Sequence, residues 1–286
     1  MKNILITGGT GSLGKHLLKS LLKDEKIEKV IVYSRDELKQ SDMQQEFTDK
    51  RVRFFLGDVR DYERTEYATR NVDTVIHAAA LKQVPAAEYN PDEPIKTNIN
   101  GAQNVIKACI NNSVDKVIAL STDKAANPVN LYGATKLASD KLFSAANNYT
   151  GKNKTIFSVV RYGNVLYSTG SVLCKWKELL EQGQEVIVTE PKATRFFWTI
   201  DQAVDLIYDC MKDAVDCQPH FPSMKSMNIE NLLKAMAEKY LPSGEELKIK
   251  TIGLQPGENL HEKILEQGPA SNEVEEFTIE EIKELI

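Results

Sequence analysis

A tyrosine and a lysine four positions apart are the residues best suited to chemistry in this sequence. Tyr132 and Lys136 place a phenol and an ammonium on one face of a helix, within reach of a common ligand. A nearby lysine and the cationic ring of a bound ligand both favour the phenolate. We therefore expect the pKa of Tyr132 to be lowered enough for it to take a proton from a sugar or alcohol hydroxyl. Thr122, at the end of a predicted strand, is expected to hydrogen-bond the same oxygen.

A glycine-rich turn lies near the start of the chain, where Thr7-Gly8-Gly9-Thr10-Gly11-Ser12-Leu13-Gly14 follows the first predicted strand and leads into a helix. Glycines allow the backbone to approach a pyrophosphate, and the helix N-terminus supplies N–H groups and a positive dipole end. The position of the turn predicts a dinucleotide site; the alternative is a tight turn with a purely structural role. The expected contacts are Gly8, Thr10, Gly11, Ser12, Leu13 and Gly14.

The residues that follow the second and third strands indicate which dinucleotide would bind. About twenty residues beyond the last glycine, where an NAD site commonly places a carboxylate, the chain carries Ser34, Arg35 and Asp36. Ser34 and Arg35 suit a 2′-phosphate, which favours NADP over NAD. The alternatives are that Asp36 serves a ribose hydroxyl and that Arg35 is merely solvated. Asp58 and Val59 offer a carboxylate and a backbone amide to adenine, or else only end the third strand.

The elements that must position these residues alternate between strands and helices. Short β-branched runs are separated by stretches with apolar residues at three- and four-residue spacing, which predicts an α/β fold with a doubly wound parallel sheet. The predicted strands are 3–6, 29–33, 52–56, 74–77, 116–120 and 155–160. Beyond residue 166 the pattern loosens, with a strand predicted at 185–189, a helix at 201–211 and a short solvated helix within 273–286. These elements predict a smaller C-terminal lobe.

Composition and charge exclude several classes of protein. The 286 residues carry a net charge of -5, from 36 basic and 41 acidic side chains, which lacks the electrostatic footprint of a nucleic-acid or polybasic membrane binder. No apolar stretch approaches the roughly 18 residues of a membrane span, and the first apolar run is too short for a signal peptide, so we expect a cytoplasmic protein. No metal site is expected, because Cys109, Cys174, Cys210 and Cys217 lack metal-ligand spacing.

The motifs together resemble the extended short-chain dehydrogenase/reductase family over nearly the whole chain. The residues that carry the resemblance are Gly8, Gly11, Gly14, Thr122, Tyr132 and Lys136. The resemblance implies a Rossmann domain at 1–165 that binds NADP. It also implies a lobe at 166–286 that mainly binds a nucleotide sugar, with some elements returning to the first domain.

The segment after Thr122 adds an acid and a base to this pattern. A 4-epimerase only removes and returns a hydride at C4, so one phenolate with its lysine suffices. Once C4 is a ketone the C5 proton becomes acidic, and a base together with an acid for the departing C6 hydroxyl would eliminate water. Asp123 and Lys124 therefore favour 4,6-dehydration, with the hydride returned to C6. The alternative is a surface ion pair at the start of a loop.

Four segments, 34–39, 77–82, 121–141 and 161–165, look like the UDP-N-acetylglucosamine 4,6-dehydratases that also invert C5 and open pathways to pseudaminic acid and related L-sugars. Relatives that retain the C5 configuration commonly lack the tyrosine present here as Tyr132. The resemblance implies that Tyr132 deprotonates O4, Thr122 binds O4 and Lys136 holds the ribose. It further implies that Asp123 protonates the leaving hydroxyl and Lys124 abstracts the C5 proton. It adds cofactor contacts at Lys39, Ala78, Ala79 and Ala80.

The same resemblance implies a clamp for the nucleotide sugar. Arg195 offers a fork to the diphosphate, unless it forms a salt bridge between the lobes. Glu258 is counted among the substrate contacts, although a role in anchoring a turn is favoured over a role in chemistry. Gln255 and Asn259 stand where relatives carry arginine and lysine. The expected substrate contacts are Lys82, Asn164, Gly170, Ser171, Val172, Arg195 and Glu258.

The expected partner is UDP-N-acetylglucosamine, with no nucleic acid and no membrane, in a homo-oligomer whose size is open because the chain looks shortened after Glu262. Two competing activities on the same scaffold are a retaining 4,6-dehydratase and a 4-epimerase. Tyr132 argues against the first, and the Asp123–Lys124 pair against the second. A non-catalytic dinucleotide sensor is a third alternative, but it would be expected to lose Tyr132 or Lys136 before the glycine turn.

Overall fold

A computed structural model describes residues 2–168, 170–213, 219–221 and 224–286. Its main feature is a six-stranded parallel sheet of order β3-β2-β1-β4-β5-β6, the Rossmann order, which confirms the predicted α/β doubly wound fold. The strands are β1 (Asn3–Thr7), β2 (Lys29–Ser34), β3 (Val52–Leu56), β4 (Thr74–His77), β5 (Lys116–Thr122) and β6 (Ile156–Tyr162).

Helices cover both faces of this sheet. They are α1 (Ser12–Leu21), α2 (Glu37–Glu46), α3 (Tyr62–Ala68), α4 (Val84–Tyr89), α5 (Asp92–Pro94), α6 (Gly101–Asn111) and α7 (Leu131–Ala146). A π-helical turn, Ile95–Asn100, joins α5 to α6, and a 3-10 turn, Asp123–Ala125, follows β5 directly. A second 3-10 turn, Gly151–Asn153, precedes β6.

Alternation along the strands explains why both faces need helices. Successive strand side chains point to opposite faces. Ile4 and Ile6 of β1 therefore pack in the apolar layer that contains α1, whereas Leu5 between them packs in the layer of α6 and α7. Such a sheet is stable only when it is covered on both sides, which places its strand ends, rather than its faces, in reach of ligands.

The rest of the chain forms a smaller region with its own apolar cluster, which includes Trp176, Phe197 and Leu232. It has a three-stranded sheet of order β10-β9-β7 and a two-stranded parallel pair of β11 and β8. The elements are β7 (Asn164–Val165), α8 (Val172–Glu181), β8 (Val186–Val188), β9 (Thr194–Trp198), α9 (Ile200–Asp213), β10 (Ser226–Asn228), α10 (Ile229–Tyr240), β11 (Ile249–Thr251) and α11 (Ile279–Leu285).

Two helices of this region dock through apolar residues. α9 returns to the large sheet, where Val204 and Ile207 join the layer of α1. The prediction of a solvated terminal helix is wrong in part, because Ile282 of α11 is fully buried in the apolar cluster of the smaller region. One apolar position per turn is enough to dock a short helix, although its other faces carry glutamates.

Within the described residues, no helix is long and apolar enough to cross a membrane, and no group of three or more potential metal ligands comes together. Cys109, Cys174 and Cys210 are free thiols. Cys217 lies outside the residues that the structure describes.

Candidate active site

The glycine turn joins β1 to α1, and the protein's own packing requires two of its glycines. Gly8 has a φ of +66°, and a Cβ there would lie 2.8 Å from the Ala79 backbone. A Cβ at Gly14 would lie 2.4 Å from the Gly9 carbonyl oxygen. At Gly11 the nearest protein atom to an added Cβ is at 3.4 Å, an ordinary contact, so internal packing does not explain this glycine.

The N-terminus of α1 is suited to an anion. Gly11 is its N-cap and provides no side-chain cap, and the first turn, which contains Ser12 and Leu13, carries no acidic residue. The N–H groups at a helix start bind phosphate well, because they meet no intrahelical acceptor and stand at the positive end of the dipole.

Polar side chains gather at the end of β2. Thr10 Oγ1 lies 2.9 Å from Ser34 Oγ. The half-exposed Arg35 guanidinium lies 3.5 Å from Asp58 Oδ2. Asp36 caps α2 through the Lys39 N–H and also pairs with Lys39 Nζ at 2.9 Å. Asp36 is thus already bound to its own helix, while Arg35 remains accessible beside Ser34.

Asp58 and Val59 have different surroundings. The Asp58 carboxylate accepts hydrogen bonds from the backbone and the guanidinium of Arg60. Val59 is buried, and a Cβ on Gly101 would come within 2.8 Å of its Cγ2 atom. Any contact of Val59 with a ligand therefore has to come from its backbone.

The loop after β4 is held to the neighbouring elements by buried polar side chains. Thr7 Oγ1 lies 2.8 Å from His77 Nδ1 and accepts the Ala79 N–H. Burial, with the nearby charge of Lys136, lowers the pKa of His77 to about 3, so this imidazole stays neutral. Ala78, Ala79 and Ala80 are partly exposed, and Lys82 is exposed.

Asn98 is a positioning residue that sequence analysis missed. It lies in the π-helical turn and is almost fully buried. Its side chain binds both the N–H and the carbonyl of Leu81 and donates to Thr135 Oγ1 at 3.0 Å. Asn98 thereby ties the loop after β4 to α7; a buried amide in an otherwise amphipathic helix was the available signal.

The end of β5 brings Thr122, Asp123, Lys124 and Tyr132 together. Thr122 Oγ1 donates to Asp123 Oδ1 at 2.9 Å. Asp123 Oδ1 also accepts hydrogen bonds from the Lys124 backbone N–H and from Lys124 Nζ, the latter at 3.1 Å. Asp123 Oδ2 is buried and has no hydrogen-bond partner among the described residues. A side-chain hydrogen bond joins Tyr132 to Thr122. The four side chains therefore lie close together, as the sequence predicts.

The surroundings of Tyr132 and Lys136 shift the pKa values of both groups. Burial raises the pKa of the phenol, and the charges of Asp123 and Asp140 add to that effect, although the Thr122 hydrogen bond opposes it. Lys136 Nζ donates to the Leu120 carbonyl at 2.7 Å, and burial lowers the pKa of this lysine. The expected lowering of the Tyr132 pKa includes the charge of a bound nicotinamide cation and stays a prediction.

Lys124 is an ammonium in this structure. Burial lowers its pKa, but Asp123 and Glu262 more than offset that effect, so the pKa of Lys124 is raised. Its Nζ also donates to Asn164 Oδ1 at 3.2 Å. The Lys124 ammonium thus has a carboxylate and an amide oxygen as hydrogen-bond acceptors.

Four of the predicted substrate residues differ in whether they are already engaged within the protein. Three of them lie at the start of α8, whereas Arg195 is bound to backbone carbonyls. Gly170 has a φ of +75° beside Gln83, Ser171 is the N-cap of α8, and Val172 is exposed in its first turn. Arg195 instead donates to the carbonyls of Thr194, Leu260 and Asn259, so part of its fork is already occupied.

Glu258 lies in an exposed turn. Its Oε2 accepts the Gln255 N–H at 3.1 Å, and its own N–H donates back to the Gln255 carbonyl. Asn130, another residue missed from sequence, caps α7 at the Gly133 N–H and donates to the Gly257 carbonyl at 2.8 Å. This turn is thus fastened to the helix that carries Tyr132.

A glycine turn after β1, a threonine at the end of β5 and Tyr-x-x-x-Lys on α7 are the arrangement of the extended short-chain dehydrogenase/reductases, which confirms the resemblance. The chain matches the polysaccharide biosynthesis protein family over residues 4–284 and belongs to that family.

Two curated relatives illustrate the range within the family. The chain is 55% identical over 262 residues to a UDP-N-acetylglucosamine 4,6-dehydratase (inverting) of Campylobacter jejuni strain 81-176. The aligned residues make up 91% of this chain and 76% of the relative. It is 41% identical over 267 residues to a UDP-glucose 4-epimerase of Rickettsia akari, which covers 92% of this chain and 77% of that one.

Solved structures share the fold. Pen from Bacillus thuringiensis superposes with a TM-score of 0.94 at 36% identity, over 99% of this chain and 96% of Pen. The dTDP-glucose 4,6-dehydratase DesIV from Streptomyces venezuelae, solved with NAD and TYD bound, superposes with a TM-score of 0.78 at 20% identity, over 90% of this chain and 86% of that one.

Proposed function

We propose that the protein is an NADP-dependent UDP-N-acetylglucosamine 4,6-dehydratase that inverts C5, giving UDP-2-acetamido-2,6-dideoxy-β-L-arabino-hex-4-ulose. The observation that carries the proposal is the Asp123–Lys124 ion pair beside Thr122 and Tyr132, in which Lys124 Nζ lies 3.1 Å from the buried Asp123 carboxylate. A 4-epimerase has no use for this second acid and base. The greater identity to the inverting dehydratase than to the epimerase supports the same choice.

The residues at the glycine turn fit a nicotinamide dinucleotide. Gly11 leaves room at an uncapped helix N-terminus for a pyrophosphate, and Thr10, Ser34 and Arg35 form a polar, partly cationic group at the end of β2. Arg35 and Lys39 suit the 2′-phosphate of NADP better than a bare ribose hydroxyl. When bound, the oxidised nicotinamide accepts a hydride from C4 and later returns it to C6.

Tyr132 and Thr122 act on O4 in this proposal. Thr122 holds the sugar hydroxyl beside the phenol, and the phenolate takes the O4 proton as C4 becomes a ketone. Because burial raises the pKa of Tyr132, the phenolate needs a cation that enters with the ligands. Lys136, whose Nζ donates to the Leu120 carbonyl in the protein alone, would hold the cofactor ribose.

Asp123 and Lys124 then remove water. The elimination needs a neutral Lys124 amine to take the C5 proton and a protonated Asp123 to release the C6 hydroxyl as water. Movement of one proton from Nζ to Oδ1, across 3.1 Å, produces both forms at once without any uptake of protons. The double bond between C5 and C6 then receives the hydride at C6 and a proton derived from solvent at C5. Arrival of that proton on the face of C5 opposite Lys124 inverts the centre.

Asn164, Gly170, Ser171 and Val172 face the sugar diphosphate and uridine in this proposal, with Lys82 on the opposite loop. Asn164 is already bound to Lys124, so it links the substrate side to the base. Arg195 reaches a diphosphate only with its remaining donors, and Glu258 contributes through its turn.

Nuclear magnetic resonance of the purified protein with UDP-N-acetylglucosamine and catalytic NADP in deuterated water tests the proposal. We expect a C6 methyl group, deuterium at C5 and couplings of the L-arabino product. A methyl group with D-xylo couplings would retain dehydration and overturn inversion. Conversion to the 4-epimer would identify an epimerase, and no reaction with the cofactor bound would favour the sensor.

Lys124→Ala provides the matched variant. Without the base, elimination stops while oxidation at C4 continues, so reduced cofactor should accumulate once per active site. Dehydration at the wild-type rate would show that another residue acts as the base.

A further inference from the structure

Glu262 is a buried carboxylate to which the proposed reaction gives no role. Only 4% of the residue is exposed. Its Oε1 lies 3.8 Å from Lys124 Nζ and 3.9 Å from Arg195 Nε. Segments that are distant in sequence thus assemble a charged cluster, which we define as Asp123, Lys124, Arg195 and Glu262.

Hydrogen bonds hold both the backbone and the carboxylate of Glu262 in place. The Glu262 N–H donates to Ser271 Oγ at 2.9 Å, and the Ser271 N–H donates back to the Glu262 carbonyl. Ser271 is in turn bound to the Thr194 carbonyl, and Asn259 Nδ2 donates to Glu262 Oε2 at 3.2 Å. Burial of a charge is costly unless it is compensated, so this orientation directs the compensation toward Lys124 and Arg195.

The charge of Glu262 balances the net charge of the charged cluster. With Glu262 and Arg195 both charged, the charged cluster is neutral when the Asp123–Lys124 pair carries one proton. The proposed elimination uses the same single proton, moved to Asp123. If the Glu262 charge were absent, that proton would make the buried cluster positive, and a low-dielectric site favours its release.

We propose that Glu262 is a positioning residue that retains the shared proton on the Asp123–Lys124 pair and so keeps the acid loaded for elimination. Its catalytic consequence rests on the proposed function, but the retention of the proton does not depend on the substrate. Asp123, Lys124 and Arg195 face Glu262, and Tyr132 faces Asp123. The His261 ring is bound to Thr194 instead.

The protonation tendencies agree with this geometry. Glu262 is one of the two carboxylates that hold the pKa of Lys124 above its usual value against the effect of burial. Burial and the charge of Asp123 raise the pKa of Glu262 itself, although Lys124 and Arg195 oppose this. Glu262 and Lys124 therefore influence each other's pKa in the directions expected for neighbouring opposite charges.

The test is a titration of Lys124 in the substrate-free holoenzyme by NMR of its side chain, with the signal assigned by its loss in Lys124→Ala. Glu262→Gln, which keeps the shape and removes the charge, should lower the midpoint by about one pH unit. Glu262→Asp should restore most of that shift. Glu276→Gln, in an exposed position, is the control and should leave the midpoint unchanged. An unshifted midpoint in a folded Glu262→Gln protein would overturn the proposal.

The pH dependence of dehydration is the second measurement. Loss of a negative charge lowers the pKa of the pair, so the basic limb of kcat/KM should move about one unit lower in Glu262→Gln and recover in Glu262→Asp. A purely structural role would reduce the rate at every pH without moving the limb, and that result would overturn the proposal. If the wild type does not dehydrate UDP-N-acetylglucosamine, the proposed function fails, while the substrate-free titration still decides the role of Glu262.

Discussion

The glycine turn after β1 and the charged cluster after β5 both lie at the carboxyl ends of strands in one sheet, but their physical basis differs. The turn consists of consecutive residues and acts through backbone shape, as the positive φ of Gly8 and the close contact at Gly14 illustrate. The charged cluster draws Asp123 and Lys124 from one segment and Arg195 and Glu262 from two others, and it acts through buried charge.

This difference separates two kinds of substitution. Adding one carbon at Gly8 or Gly14 disturbs packing, because backbone occupies the space, whereas adding one at Gly11 affects only the space proposed for a ligand. Neutralising a side chain near the charged cluster leaves packing nearly unchanged but alters where a proton resides. The following experiments test that separation.

The largest effect is expected at Tyr132, where the shape can be kept while the chemistry is removed. Tyr132→Phe should lower turnover by about 10²–10⁴-fold, because the O4 proton loses its acceptor. The cofactor should remain bound, since the ring still fills its space. Product formation and cofactor content measure the two effects, and unimpaired turnover would remove Tyr132 as the base.

A buried ion pair beneath the site provides a test of charge in folding. Asp140 Oδ2 accepts from Arg161 Nε at 3.0 Å and from Ser121, and both members of the ion pair are buried. Asp140→Asn should lower the free energy of unfolding by about 3 kcal/mol, because it leaves a buried guanidinium without its counter-charge.

Glu266→Gln is the matched control, since Glu266 contacts the same arginine from a half-exposed position at 3.4 Å. It should change the free energy of unfolding by less than about 1 kcal/mol. Urea denaturation of both variants gives the comparison, and equal losses would contradict the assigned difference between buried and exposed partners.

Two glycines distinguish shape required by packing from shape required by a ligand. Gly14→Ala should cost about 1–3 kcal/mol of folding stability, because its Cβ overlaps the Gly9 carbonyl. Gly11→Ala should leave stability nearly unchanged but weaken dinucleotide binding by about tenfold or more, because the methyl group enters the space assigned to the pyrophosphate. Thermal unfolding and cofactor titration measure the two quantities; undiminished affinity in Gly11→Ala would place the pyrophosphate elsewhere.

The smallest effect is expected at the exposed end of the cofactor site. Arg35→Ala should weaken NADP binding by about tenfold relative to NAD, the loss expected for one exposed charge-assisted hydrogen bond. Parallel titrations with the two dinucleotides measure the ratio. Equal losses would mean that Arg35 makes no contact with a 2′-phosphate.

Much of the fold was predictable because its signals are local. Strand lengths, the alternation that buries both faces of the sheet and the glycine turn each depend on residues close together in the chain. The Asp123–Lys124 pair and its proximity to Thr122 and Tyr132 followed from the same reasoning, since a turn and a helix start directly after β5.

Other features depended on contacts between distant segments. Ile282 docks α11 because an apolar surface happens to face it, and Asn98 is needed because two loops meet α7 there. Nothing in the local pattern around Glu262 marks it as a partner of Lys124.

The sequence by itself therefore determined the fold class and the glycine turn, and it singled out Asp123, Lys124 and Tyr132 as the proposed acid, base and phenol. The tertiary structure alone decided how the pKa values of two of these groups shift: burial raises the pKa of Tyr132, and Asp123 and Glu262 raise that of Lys124. The physical reason is that local periodicity specifies which residue stands at a strand end. The pKa of a buried group depends instead on desolvation and on charges supplied by other segments.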